Sequence, residues 1–236
     1  MFYSRLFLSA ALSSFCINET LQAQICSDFQ RDITKDISYY IIDKYTKDNS
    51  DLIQEVLTLQ RSLIVDNQTP DELPIQFKEN GFLTVRKTAE ELAQTLQNEG
   101  KIIIARHKGE LIGYLILTEL ENYFSWMSSA KQVEIDLPLE ISELESYYID
   151  KRVKLLDQIG IATHYAKHGI GKRLVEIAKE LSPHGLSTDI LYKPFTNRAS
   201  FAFFAKQGFR HVAKIHVFGR PPKRILVEIH VELWMP

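Results

Sequence analysis

Two strand-loop-helix units stand back to back between residues 153 and 208, and a hairpin pattern flanks them on either side. The run VKLLDQIGIAT, residues 153–163, reads as a strand. The loop HYAKHG leads from it into a helix predicted over 170–181, with Ile170, Leu174, Ile177, Ala178 and Leu181 on one stripe. The run STDILYK, residues 187–193, is the second strand, and Asn197 caps a helix that Gly208 stops. Upstream, two apolar runs in residues 101–120 surround His107, Lys108, Gly109 and Glu110, the pattern of a tight hairpin. Downstream, strands at 209–218 and 224–235 enclose a turn at 219–223. Successive strand-helix units call for one sheet covered by helices. The hairpins must pair antiparallel, so an all-parallel doubly wound sheet is excluded.

The remaining elements fit the same plan. Residues 37–46, rich in Tyr and Ile, predict a first strand, and Leu52, Ile53, Val56, Leu57, Leu59 and Leu63 predict a helix. Residues 67–74 read as a loop, and Gly81 marks another break. Thr88 with Glu91 forms a capping box ahead of a helix to about Asn98, which Gly100 ends. Residues 121–150 are irregular in pattern.

Composition removes several function classes. A chain of 236 residues with 45% hydrophobic residues buries a sufficient core without metals or disulfides. Its formal net charge of −2 argues against a nucleic-acid partner. Cys16 and Cys26 cannot make a disulfide framework. No apolar run reaches ~18 residues, so stable membrane insertion is not expected. Residues 1–24 place Arg5 before an apolar stretch from Leu6 to Ile17, which is the pattern of a secretory signal. Leu21 is large for the −3 position if Ala23 precedes a cleavage site. The competing readings are an amphipathic helix or an upstream start codon. The expected location is cytoplasmic, with export left open.

The chemistry concentrates in two stretches. In the first, Gly169 and Gly171 stand where a helix begins, and Lys167, Lys172 and Arg173 add cations. Helix starts offer unpaired N–H groups and a positive dipole end, and glycines let a phosphate approach them. The loop is not a Walker loop, since GxxxxGK followed by Ser or Thr is absent, and it lacks the third glycine of a dinucleotide fingerprint. The second stretch runs from Asn197 through Ser200, Phe203 and Phe204 to Gly208 and Phe209. By itself it reads as an amphipathic core helix with a glycine stop.

Together, and in this order, the two stretches resemble the GNAT superfamily of acyl-CoA N-acyltransferases. The family's first signature has Gln or Arg, then Gly three residues on, then Gly or Ala two residues beyond that; Gly169 and Gly171 match, while Ala166 stands at the Gln/Arg position. Its second signature matches at Asn197, Ser200, Phe203, Gly208 and Phe209. The resemblance covers residues 37–236 as one acetyltransferase domain and leaves residues 1–36 as an N-terminal extension. It implies an α/β fold of α+β type: a mixed, mostly antiparallel sheet of about seven strands, flanked by helices, with the fourth and fifth strands splayed.

It also implies acetyl-CoA as cofactor and acyl donor, coenzyme A as product, and no metal. The pantetheine arm is expected on the backbone of Ile159, Ile161 and Thr163. The pyrophosphate is expected over Lys167, His168, Gly169, Ile170, Gly171 and Lys172, with Asn197 and Phe204 on the other side. Chemistry is direct attack of an amine on the thioester, helped mainly by positioning.

A lysine-like amine has a pKa near ~10.4, so its neutral form costs ~4–5 kcal/mol at pH 7 and a general base is valuable. Asp157 is the first candidate, since it shares strand parity with Ile159 and Ile161; Glu119 and Glu121 are reserves, and His164 is a further relay. An ion-paired structural carboxylate is the competing reading of Asp157. A leaving thiol has a pKa near ~8.5, so leaving unprotonated costs only ~2 kcal/mol. The family often places a Tyr where this chain has Phe204. Tyr192, Tyr165 or water must then serve the thiolate.

The acceptor is expected to be a small-molecule or peptide amine, and the protein is compatible with a homodimer. Eight acids against Lys131 alone between Glu119 and Asp150 offer a rim attractive to a cationic amine, or simply a solvated loop. Tyr123, Phe124 and Trp126 line an acceptor pocket or a small satellite core. Lys206, Arg210, Lys214, Arg220, Lys223 and Arg224 make the C-terminal part basic. A non-catalytic acyl-CoA-binding regulatory module is the alternative to an enzyme, motivated by Phe204 and Ala166.

Overall fold

The computed structural model describes residues 36–65, 73–119, 132–135, 146, 152–194, 196–218 and 226–236. The chain divides into two compact units, Met1–Ser38 and Tyr39–Pro236. The signal-like segment, both cysteines, the 219–223 turn and nearly all of the acidic insert lie outside the described residues.

Eight strands are described: β1 (Ile37–Ile42), β2 (Lys101–His107), β3 (Glu110–Thr118), β4 (Gln132–Ile135), β5 (Lys154–Ile161), β6 (Leu186–Lys193), β7 (Arg210–Phe218) and β8 (Leu226–Trp234). They form one sheet in the order β1-β2-β3-β5-β6-β8-β7-β4. The expected set of about seven strands is present, and β4 is an addition at the β7 edge, from within the insert. Only β5 and β6 pair in parallel among the registers described; the others are antiparallel. Strand β8 lies between β6 and β7, so the C-terminal hairpin returns into the sheet instead of extending it.

Among the described residues, five α-helices accompany the sheet: α1 (Ser50–Leu63), α2 (Ile75–Asn80), α3 (Ala89–Gln97), α4 (Ile170–Glu180) and α5 (Arg198–Lys206). Short-range rules explain their ends. The Thr88 hydroxyl accepts from the Glu91 N–H at 3.2 Å while the Glu91 carboxylate accepts from the Thr88 N–H at 2.8 Å. The Asn197 Oδ1 accepts from the Ser200 N–H at 3.3 Å. The β2–β3 turn has positive φ at both Lys108 and Gly109, as a two-residue hairpin needs. Helix α2 falls just beyond the expected 67–74 loop and carries one buried anchor, Phe77.

The core lies on both faces of β2 and β3, where Ile102, Ile103, Ile104, Ile112, Leu115, Ile116 and Leu117 are fully buried. Each such side chain contributes about 1.5–3 kcal/mol of burial. Adjacent residues of a strand point to opposite faces. A Cβ on Gly113 would meet Ile170 of α4, whereas Tyr114 meets the Gly160 site beside Leu63 of α1. Helices α4 and α1 therefore cover opposite faces. Among the described residues, no helix is long and apolar enough to cross a membrane.

Candidate active site

The sheet opens between β5 and β6. Three residue pairs join them, Lys154 with Leu186, Leu155 with Ser187 and Leu156 with Thr188. The Thr188 hydroxyl then donates to the Leu156 carbonyl at 3.0 Å, and past it the ladder ends. A bulge sits at this point. On β3, Ile116 faces Gln158 and Leu117 faces Leu156, so Asp157 is the extra residue. Bulges bend a strand and increase its twist, which turns β5 away from β6.

A cleft of about 1060 Å³ fills the opening, lined by 157–161 from β5, 188–191 from β6, segment 79–86 and the starts of α4 and α5. That exceeds an ordinary small-molecule pocket and suits a long ligand. Ala162 donates to the Ile112 carbonyl across the β3 ladder at 2.9 Å. An antiparallel ladder alternates, so Gly160 also turns its backbone groups to β3. The N–H and C=O of Ile159 and Ile161 consequently point to the other edge, into the cleft.

At its far end the cleft meets the turn before α4. Gly169, the N-cap, has φ +81 and no side-chain cap. Lys167 is also left-handed, with φ 65. Alternating backbone of this kind gathers N–H groups into an anion-binding hollow, beside the open first turn of an eleven-residue helix. Lys167, Gly169, Ile170, Gly171 and Lys172 all line the cleft, as do Ile159, Ile161, Thr163 and Ala166. His168 does not; its Nδ1 lies 2.8 Å from the Ala166 carbonyl oxygen.

A model of the acetyltransferase (GNAT) family matches residues 67–209. The chain belongs to the GNAT acetyltransferase family. No curated protein matches it in sequence. Among solved structures, smu.2055 from Streptococcus mutans UA159 superposes with a TM-score of 0.52 at 16% identity, covering 84% of this chain and 98% of that one. A probable acetyltransferase from Staphylococcus epidermidis ATCC 12228 gives 0.51 at 12% identity, with 84% and 98% covered. Arabidopsis thaliana Naa50, in complex with the bisubstrate analogue CoA-Ac-MVNAL, gives 0.50 at 14% identity, with 85% and 99% covered. At these identities the likeness is one of fold.

Other expected GNAT site residues fall in different places. Asn197 and Phe204 line the cleft; the Asn197 amide donates to the Phe82 carbonyl at 2.9 Å, and Phe204 packs between Phe203 and Phe209. Asp157 also lines it, but its Oδ2 lies 2.6 Å from the Lys87 ammonium. Asp157 is thus an ion-paired carboxylate at the cleft lining. Glu119 pairs with Lys154 at 2.8 Å and is not part of the lining. Tyr192 is also outside it, stacked on His230 with ring centres 4.3 Å apart. Tyr165 lines the cleft, with its hydroxyl 3.0 Å from His107 Nδ1. Burial, then the Glu110 carboxylate, raises its phenol above the ordinary tyrosine value. His164 is exposed.

The sequence reading did not find the wall opposite β5, which segment 79–86 forms. Two buried glutamines, Gln60 of α1 and Gln158 of β5, tie that segment and the residue after it to the strand. Gln60 of α1 donates to Gln158 of β5 at 2.8 Å, and Gln158 donates to the Val85 carbonyl at 2.7 Å. Gln60 also accepts from the Lys87 N–H at 3.0 Å, and buried Tyr114 donates to Gln158 at 3.2 Å. Burial raises the Tyr114 phenol far above its ordinary value, so it remains a donor. Val65, Leu73, Phe77 and Phe82 form a small apolar cluster, of which Val65, Phe77 and Phe82 also line the cleft. Away from the cleft lining, His211, His230 and Glu232 bring ligand atoms within 4.8 Å of one another. His211 and Glu232 are 3.2 Å apart there, as an ordinary hydrogen-bonded pair would be.

Proposed function

We propose that this chain transfers an acetyl group from acetyl-CoA to a primary amine by direct attack, within a domain spanning residues 37–236. The parting of β5 and β6 carries the reading, because it turns the backbone of Ile159 and Ile161 into an open cleft. An extended thioester arm can add to that edge as a strand would. Lys167, Lys172 and the N–H groups at the start of α4 would hold the pyrophosphate. Asn197 and Phe204 would flank the arm from the other side. Acetyl-CoA supplies the activated acyl group. The complex of the Naa50 neighbour with the bisubstrate analogue CoA-Ac-MVNAL supports a CoA thioester as the donor here.

Asp157 would take the proton that the attacking amine must lose. It lies at the bulge, at the inner end of the cleft-facing backbone. Phe204 has no hydroxyl, so the thiolate would leave to water or to Tyr165. At ~2 kcal/mol for unprotonated departure, this slows the reaction without abolishing it. The absence of an acid here is also what favours the binding-only module. Free-thiol release from acetyl-CoA with a panel of amines, polyamines and peptides, beside acetyl-CoA calorimetry, decides between them. Turnover with one acceptor class supports the enzyme. Tight binding without turnover on any amine refutes it in favour of the module.

A further inference from the structure

We propose that Lys87 is an acetylation site of this protein, its amine being an acceptor that the chain itself holds, from just outside the cleft lining, against Asp157 of that lining. The inference rests on the acetyl-transfer reading above. Its first ground is the 2.6 Å separation of Lys87 Nζ from Asp157 Oδ2, with both side chains about one-fifth exposed (20% and 19%). A primary ammonium thus already touches the carboxylate assigned to deprotonate the acceptor.

The second ground is how firmly Lys87 is held. Its N–H donates to Gln60, which is fully buried in α1. Gln60 is locked to Gln158, and Gln158 to the carbonyl of Val85, two residues before Lys87. Thr88, the next residue, is the N-cap of α3 and closes a capping box. Residues 85–88 are therefore tied to β5 through Val85, to α1 through the Lys87 N–H, and to the start of α3 through Thr88. A lysine on a free loop would sample many positions; this one starts from a fixed backbone.

The third ground is direction. With the pyrophosphate at 167–172, the arm runs back along β5 past Thr163, Ile161 and Ile159. Asp157 is the next step on that path. From Thr163 to Asp157 the strand spans ~20 Å at ~3.3 Å per residue. The thioester end thus comes to rest beside the carboxylate that Lys87 occupies.

The step balances with acetyl-CoA alone. The Lys87 ammonium gives one proton to Asp157. The neutral amine attacks the thioester carbonyl carbon, forming a C–N bond as the C–S bond breaks. Coenzyme A leaves as thiolate and takes a proton from water, and the nitrogen loses its second proton to solvent. The amide product carries no charge, so the ion pair dissolves and Asp157 is released.

The test uses the full chain with acetyl-CoA and no added amine, followed by intact mass and peptide mapping. One acetyl group on Lys87 is expected, at a first-order rate independent of protein concentration. The rate should fall about a hundredfold in Asp157→Asn and in heat-unfolded chain, the range for losing a positioned base. In Lys87→Arg the accompanying thiol burst should vanish while acetyl-CoA still binds. Acetylation of Lys87 no faster than that of exposed Lys108, or equally fast in unfolded chain, overturns the proposal. A chain that releases thiol with added amines yet leaves Lys87 unmodified refutes this inference alone. One that neither binds acetyl-CoA nor releases thiol refutes the underlying function as well.

Discussion

Replacing Gly160 by alanine probes the strand on which the proposed site depends. Gly160 lies between Ile159 and Ile161, and its α-carbon faces α1. An added Cβ would stand 2.6 Å from Tyr114 Cε1 and 2.8 Å from Leu63 Cδ1. Carbon atoms prefer separations of ~3.5–4.0 Å, so something must move by about an ångström. Tyr114 is fully buried, and its hydroxyl donates to Gln158 at 3.2 Å. Overpacking of this kind costs about 1–3 kcal/mol, and disturbing one buried hydrogen bond adds ~1 kcal/mol. We expect Gly160→Ala to lose about 2–3 kcal/mol, lowering Tm by on the order of 5–10 °C for a chain of this size. Urea unfolding should show a lower midpoint at constant m. The double variant with Tyr114→Leu should be more stable than the two single losses imply, by about 1 kcal/mol or more, because the clashing ring is gone. A Gly160→Ala chain within ~0.5 kcal/mol of the parent, or an additive cycle, would refute the packing argument. Strand β5 would then not press on Tyr114 as described.

Other perturbations reach different parts of the molecule. Asp157→Asn should lower the thiol-release rate by about 10²-fold or more while acetyl-CoA still binds, and the deficit should shrink at high pH, where the amine is already neutral; an unchanged rate in calorimetrically competent protein would exclude Asp157 as base. Lys167→Gly should raise stability by ~1 kcal/mol, since Lys167 holds φ 65, yet weaken acetyl-CoA binding by removing a cation. Equal Tm and equal affinity would contradict both halves. Thr88→Ala should cost about 1 kcal/mol through loss of the α3 cap, read as a lower urea midpoint. Burial raises the Glu232 carboxyl above its ordinary value, and His211 only partly opposes this. The folded chain therefore binds this proton more tightly than the unfolded chain, and stability from this source falls as pH rises through the folded-state pKa. Glu232→Gln should be the more stable chain at pH 8, with the advantage gone near pH 4; the reverse order would show that the His211 pair dominates.

What the sequence made legible divides along the range of the interactions. The Thr88–Glu91 box, the Asn197 cap and the Lys108-Gly109 turn are settled within a few residues, and each stands where the pattern predicts it. The β5–α4 side of the cleft is nearly as local, because one strand, one turn and one helix start supply most of it. The left-handed Lys167 was not legible, since lysine gives no sign of positive φ. Nor was the bulge at Asp157, which exists only relative to β3. Strand parity put Asp157 beside Ile159, and it does line the cleft, but through a bulge that shifts the register there.

The side of the cleft around Asp157 and Lys87 was the least legible, because its contacts span the chain. Gln60 and Gln158 are 98 residues apart. Even so, α1 carried a sign that was passed over. Gln60 lies seven residues after Ile53 and four after Val56, on the stripe that ends with Leu63, and it is fully buried with them. A polar side chain on an apolar stripe must find a hydrogen-bond partner or destabilise the fold. The partner it needs is a strand group or a strapped loop, and here it is both, at the place where Lys87 meets Asp157. Tyr192 shows the converse. Its hydroxyl made it a substitute acid for Phe204, but its ring is committed to His230 and Phe201 outside the cleft. Residue type proposes chemistry, and the face on which the strand presents that residue decides whether the chemistry is available.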